Sequence, residues 1–262
     1  MTSSTAPRVA LLIPALNERA AIRDVVESAL AMLPELILVD DGSTDGTAEQ
    51  VADLPGVTVL RHETPRGKGE ALRAGFRHAL AQGYDAVLTM DGDGQHVAAD
   101  IPRLLAAAAM HPQHIVIGAR LINRDQQPAY RRRANNFADW GIGWACGQRL
   151  VDPQRGQRYY PRAALELADI ATEGFVFESE ILIEANWQKG LRIAAVPIAS
   201  RYHGNFRASH FRSLPDFLRI TVRVIGKIVR AGFLVGNYRR SRREPALIVD
   251  PQPPFTDSGS PA

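Results

Sequence analysis

The chain has 262 residues, 45% of them hydrophobic, which suits one large α/β domain with a full core. A single cysteine, Cys146, excludes an internal disulfide framework and fits a reducing compartment. The polar start Met1 to Pro7 has no signal-peptide character, and no apolar run reaches the 18 residues that a transmembrane helix needs. The net charge of +3 hides an asymmetry. Between Arg201 and Arg243 eleven Lys or Arg face one acid, Asp216, so that segment carries +10 and all other residues together −7. A mildly acidic body with a basic C-terminal segment points to an anionic surface as partner.

Arg8 to Ile13 reads as a buried first strand, ending at Pro14-Ala15-Leu16-Asn17-Glu18. A helix follows over about 20–32, with Ile22, Val25, Val26, Ala29 and Leu30 on one face. Glu35 to Val39 is a second strand running into the polar turn Asp40 to Thr47, and a helix is expected over 47–54. Val57 to Arg61 is a third strand, and Arg66-Gly67-Lys68-Gly69 opens a helix over about 70–82. Tyr84 to Met90 is a fourth strand and ends in Asp91-Gly92-Asp93-Gly94-Gln95-His96. A helix over 97–110 and a fifth strand over 115–118 complete the regular part. Later pieces are a helix within 135–146, a strand-like piece near Tyr159, helices over 162–171 and 177–189, and a strand over 191–197.

Strands alternating with long crossovers predict an α/β fold with a mainly parallel, doubly wound sheet. Such sheets bind ligands outside the carboxyl ends of their strands. Asn17-Glu18, Asp40-Asp41 and Asp91-Gly92-Asp93 all fall there, so three acidic clusters converge on one crevice. Two carboxylates one residue apart suit a hard divalent cation shared with substrate phosphates. Taken alone, Asp91-Gly92-Asp93 reads more readily as a strand-ending turn. No G-x-G-x-x-G follows the first strand, and Arg66 to Gly69 lacks the spacing of a phosphate-binding P-loop.

In order and spacing, Pro14 to Glu18, Val39 to Thr47 and Asp91 to His96 resemble the three signature blocks of family 2 glycosyltransferases. The chain is most similar to the dolichol- or polyprenyl-phosphate mannose synthase-like branch. Gly118-Ala119-Arg120, Asp152-Pro153, Gly174 to Glu180 and Val196-Pro197-Ile198 add to the likeness, which spans about residues 8–212. It implies the nucleotide-diphospho-sugar transferase (GT-A, Rossmann-like) fold, an NDP-sugar donor, Mg²⁺ or Mn²⁺, and inversion at the anomeric carbon. Pro14, Leu16, Glu18, Val39 and Asp41 match positions that hold base and ribose. Asp91, Asp93 and Gln95 match the metal and diphosphate site, with Gly92 admitting the donor between the carboxylates. Arg120 and one of Arg131 to Arg133, here taken as Arg131, match arginines that face phosphates, and Arg201 matches a basic loop position.

Carboxylates approach a diphosphate only with a cation between them, and the leaving nucleoside diphosphate gains charge that metal and arginine stabilise. The expected catalytic set is Asp93, Arg120 and Glu180, with Glu178 the other candidate base. A phosphate acceptor, its second pKa about 6, needs little help from a base. The block after Asp152-Pro153 departs from the family wording, reading Arg155-Gly156-Gln157-Arg158, which leaves the acceptor open.

The segment 213–243 reads as a basic amphipathic element. Arg219, Arg223, Lys227 and Arg230 share one helix face, opposite Leu218, Val222, Ile225, Val229 and Phe233. Such a helix binds a membrane surface or packs on a core. Residues 244–262 are expected to be disordered. The expected partners are an NDP-sugar, a lipid-phosphate or other amphipathic acceptor, and an anionic membrane at its cytoplasmic face. No nucleic acid is expected, because no aromatic stacking platform accompanies the arginines. A soluble acceptor and a sugar nucleotidyltransferase are the alternatives.

Overall fold

The computed structural model describes residues 6–122, 139–170, 176–199 and 213–251. Seven strands form one sheet: β1 (Val9–Ala15), β2 (Leu36–Asp40), β3 (Val57–Arg61), β4 (Ala86–Thr89), β5 (His114–Arg120), β6 (Arg158–Pro161) and β7 (Arg192–Ile198), in the order β3-β2-β1-β4-β6-β5-β7. All pairings are parallel except those of β6, which runs antiparallel to both β4 and β5. The expected mainly parallel sheet is therefore observed, with one reversed strand inserted beside β4.

Strand residues alternate between two cores. Leu11, Ile13, Leu36, Leu38 and Leu88 pack with α1 (Ile22–Leu30) and α3 (Ile101–Met110) on one face. Ala10, Leu12, Ile37, Val39 and Val87 pack on the other face. Their partners there are α2 (Lys68–Ala81), α4 (139–146 among the described residues), α5 (Arg162–Leu165), α6 (Val176–Lys189) and α7 (Ser213–Arg230). Burial of aliphatic side chains on both faces at about 25 cal/mol per Å² is the dominant stabilising term. α2 comes close to β1 because Gly75 has no side chain: a Cβ there would lie 2.3 Å from Leu12 Cδ1.

Three elements differ from the sequence expectation. Residues 47–54 form one 3₁₀ turn, Ala48–Gln50, because Pro55 and the left-handed Gly56 stop the chain before a second turn closes. The segment starting at 97 begins as 3₁₀ and becomes α-helical at Ile101, with a proline in its first turn. The start of the tail is ordered. Residues 245–251 lie along β7, where Ala195 N–H donates to Leu247 O at 2.9 Å and Val249 N–H to Ala195 O at 2.8 Å. Val249 is buried and Asp250 pairs with Arg103 at 2.6 Å. α8 (Val235–Arg243) precedes this strap.

Candidate active site

The carboxyl ends of β2, β1 and β4 lie side by side, which brings the three acidic clusters to one edge of the sheet. After β1 the chain turns through Asn17, whose φ of 56° is tolerated because its side chain is fastened. Its Oδ1 accepts from Thr44 N–H at 2.9 Å, and its own N–H donates to Ser43 Oγ at 2.9 Å. Glu18 N–H donates to Thr47 Oγ1 at 2.8 Å. The first two acidic loops are thus laced into one surface. Pro14 and Leu16 are half-buried on it. Asp41 fastens a different loop. Its Oδ1 accepts from Arg66 N–H at 2.9 Å and lies 2.7 Å from His62 Nδ1, and its Oδ2 accepts from Gly67 N–H at 2.7 Å. That carboxylate fixes the segment that leads into α2 and so delivers Lys68.

Lys68 is the first residue of α2, and its Nζ lies 2.7 Å from Asp91 Oδ1 and 3.2 Å from Glu178 Oε2. The two carboxylates hold the ammonium charged, well above the usual lysine range despite burial. Asp91 is held well below the usual carboxylate range, since Lys68 and other nearby cations outweigh the cost of burial. Its backbone N–H donates to His96 Nδ1 at 2.8 Å, which places the ring proton on Nε2, 3.5 Å from Asp91 Oδ2. Burial keeps His96 neutral, well below its usual pKa of 6.5. Asp93 is shifted the other way: burial, then the charge on Asp91, raise its pKa. Its Oδ1 accepts from Gln95 N–H at 3.0 Å, and Gln95 O accepts from Arg155 at 3.2 Å.

The approach to β6 closes the other side. Thr89, at the end of β4, donates its hydroxyl to Gly156 O at 2.6 Å. A Cβ at Gly156 would lie 2.9 Å from both Asp91 oxygens and 3.0 Å from Lys68 Nζ, so any larger residue here displaces that ion pair. Arg158 is fully buried and staples this loop to α6, donating to the carbonyls of Pro153, Arg155 and Glu178 and to Tyr160 Oη. Arg120 meets Asp152 through two side-chain bonds, Nε to Oδ2 at 2.7 Å and Nη2 to Oδ1 at 2.5 Å. Burial and the neighbouring Arg120 lower the pKa of Arg155.

The arrangement suits a hard divalent cation that shares its coordination with a ligand. Asp91 and Asp93 supply oxygen donors, and burial together with the charge on Asp91 raises the Asp93 pKa. Among the described residues no three His, Cys, Asp or Glu side chains form a complete cage. One or two carboxylates plus substrate phosphates are the usual Mg²⁺ set. Lys68 pairs with Asp91 and Arg155 donates to Gln95 O, while Arg120 is held by Asp152.

Residues 10–175 match the family model for glycosyl transferase family 2. The chain is a family 2 glycosyltransferase. Undecaprenyl-phosphate mannosyltransferase of Micrococcus luteus is 33% identical over 212 residues, 73% of this chain and 82% of that protein. Polyprenol monophosphomannose synthase of Mycolicibacterium smegmatis is 30% identical over 207 residues, covering 73% and 76%. These relatives lie in the polyprenyl-phosphate branch that the motifs resemble. Among solved structures, glucosyl-3-phosphoglycerate synthase of Mycobacterium tuberculosis, in complex with Mn²⁺, UDP and phosphoglyceric acid, superimposes with a TM-score of 0.62 at 25% identity. The match covers 87% of this chain and 79% of that one and supports the GT-A fold.

In this glycosyltransferase Asp91, Gly92, Asp93 and Gln95 lie together after β4, with Gln95 fixed by its backbone, and Arg120 at the end of β5 is turned to Asp152. Two expectations need correction. The Val39 side chain is wholly buried in the core, leaving only its backbone for a ligand. Glu180, expected as a catalytic base, is 2% exposed and faces α7, 3.8 Å from both Arg223 and Lys227. Residues two positions apart on a helix lie about 200° apart around its axis, so only Glu178 of the pair reaches Asp91's side, through Lys68. Arg131 and Arg201 lie outside the described residues. Lys68, His96 and Gly156 carry site geometry that their sequence blocks left without a role. The signal for Lys68 was a glycine-flanked cation at the carboxyl end of β3, on the same edge as the acids.

Proposed function

We propose that this glycosyltransferase moves a sugar from an NDP-sugar to a lipid-linked phosphate, such as a polyprenyl phosphate, at the cytoplasmic face of a membrane, with inversion. The observation that carries the donor half is the Asp91–Asp93 pair at the end of β4, with Lys68 on Asp91, Arg155 on the Gln95 carbonyl and the Arg120–Asp152 pair at the end of β5. A bound Mg²⁺ or Mn²⁺ would supply Lewis-acid neutralisation of the departing diphosphate. Asp91 and Asp93 would hold it. Lys68, Arg120 and Arg155 stand where a negative leaving group needs fixed positive charge.

The acceptor half rests on what the carboxylates of α6 are doing. Glu178 is paired with Lys68, and Glu180 is turned to α7, so neither is placed to take a proton from a hydroxyl. A phosphate acceptor already carries its nucleophilic oxygen as an anion, which removes that need. The relatives from Micrococcus luteus and Mycolicibacterium smegmatis carry names of the same chemistry.

Association with the membrane is supported by the outer surface of α7 and α8. Val222 is 68% exposed and Phe233 57%, with Ile225, Val229, Val235, Trp140 and Tyr238 also reaching solvent. Arg230, Arg239, Arg240, Arg242 and Arg243 are exposed beside them. An apolar strip among arginines matches the boundary between headgroups and acyl chains, each cation adding roughly 1 kcal/mol on an anionic leaflet. No helix of the described residues is long and apolar enough to cross a membrane.

A soluble phosphorylated acceptor is the second reading, favoured by the phosphoglyceric acid in the Mycobacterium tuberculosis complex. Polyprenyl phosphate in anionic liposomes and free phosphoglycerate, offered in one reaction with NDP-sugar and Mg²⁺, separate the two. The lipid reading expects glycosylated lipid. Exclusive glycosylation of phosphoglycerate would sink it.

A further inference from the structure

Lys68 neutralises Asp91 at the position where a metal cation would otherwise do so. Its Nζ is 2.7 Å from Asp91 Oδ1 and 3.2 Å from Glu178 Oε2, and the bare face of Gly156 closes over the pair. This lysine is not a surface side chain making an optional contact: its side chain is about one-fifth exposed, and it enters from the first residue of α2, whose entry loop Asp41 fixes. It meets the inner carboxylate of the acidic pair, leaving Asp93 as the second. A divalent cation arriving alone must therefore compete with an ammonium already placed on Asp91.

We propose that Lys68 is an internal counter-cation that holds Asp91 while no donor is bound, and thereby makes divalent-cation binding depend on the donor's diphosphate. The inference rests on the metal-and-diphosphate reading of this site. A diphosphate entering between Asp91, Arg120 and Arg155 offers Lys68 a more highly charged partner, since lysine binds phosphate as a point charge. Once Lys68 turns to phosphate, Asp91 is released for the cation, and the phosphate oxygens complete the coordination that the described residues lack. Glu178 keeps the lysine near the site in both states. Free metal is then bound weakly, and metal and donor load together.

The test measures Mn²⁺ binding by electron paramagnetic resonance on the full chain, with and without a nucleoside diphosphate. Lys68→Met should bind Mn²⁺ at least tenfold more tightly than wild type without nucleotide, and should lose most of the nucleotide's enhancement. Lys68→Arg, which keeps the charge, should stay within threefold of wild type. Arg155→Gln removes one positive charge that is not on Asp91, and should gain less than threefold. Circular dichroism checks that each variant is folded. If Lys68→Met binds Mn²⁺ no better than wild type, or gains no more than Arg155→Gln, the counter-cation role is overturned. If wild type binds no Mn²⁺ even with nucleoside diphosphate, the site reading itself fails, a distinguishable outcome.

Discussion

At the scale of single residues, the crowded contact at Gly156 makes the sharpest demand. A methyl group there would sit 2.9 Å from both Asp91 oxygens, so Gly156→Ala must push Asp91 or the approach to β6 aside. Overpacking of this kind costs about 1–3 kcal/mol of stability. The expected loss of sugar transfer is larger, at least tenfold in kcat/KM, because the displaced atoms belong to the proposed cation site. Wild-type kinetics in a folded variant would refute the placement of that loop. His96 gives a pH signature. Its folded-state pKa lies well below 6.5 because burial disfavours the imidazolium. The unfolded chain therefore takes up a proton near 6.5 that the folded chain refuses. The stability tied to His96 is present above pH 6.5 and declines as pH falls below it. Melting temperature measured from pH 7.5 to 5.5 should fall with acid, and less steeply in His96→Gln. His114, shifted the same way, retains part of the slope.

Among the elements, α7 has two apolar stripes, and they do different things. Ile220, Val224 and Ile228 recur every four residues and enter the core, while Val222, Ile225 and Val229 stay exposed. Ile228→Ala should cost about 2–5 kcal/mol, read from chemical denaturation, with liposome binding by the folded fraction unchanged. Val222→Glu should leave stability within about 0.5 kcal/mol yet weaken sedimentation with anionic liposomes severalfold. Equal liposome binding by both variants would remove α7 from the membrane contact. Helical periodicity alone identified the element and its arginines. It could not tell which stripe faced the protein, because that depends on α6, whose Glu180 and Glu184 draw Lys227 inward. The same limit applies inside α6: spacing placed Glu178 and Glu180 on one helix, but only the position of α2 decided which of them meets the site. Strand ends were legible where buried runs stop at Asp-Gly turns, as after β2 and β4, whereas β1 runs on through Pro14 and Ala15, two residues past the expected end. The 47–54 segment was misread because helix-compatible residues there have no room before Pro55.

Over the whole molecule, the order β3-β2-β1-β4 turns three acidic segments far apart in sequence into one surface, as strand alternation and the carboxyl-end rule require. The reversed β6 was not legible from alternation, yet it brings Gly156 and Arg158 against the end of β4. The C-terminal strap was missed although Ala246-Leu247-Ile248-Val249 is a short apolar run; it lies between Pro245 and Pro251, next to a Pro- and Ser-containing end, and sequence pattern does not show that a four-residue run will find the edge of β7. Cleaving the chain after Arg243 should therefore lower the melting temperature by several degrees, because it removes the Val249 and Asp250 contacts. An unchanged melting temperature would show that the strap contributes nothing. The most direct test of the central claim is product analysis of a reaction holding NDP-sugar, polyprenyl phosphate in anionic liposomes and Mg²⁺. Wild type should release nucleoside diphosphate and form glycosyl phospholipid in equal amounts. Chelation of the metal or Asp93→Asn should reduce both by about 10²-fold or more, the scale of losing one electrostatic stabiliser. Release of pyrophosphate instead, or full turnover by Asp93→Asn, would contradict it.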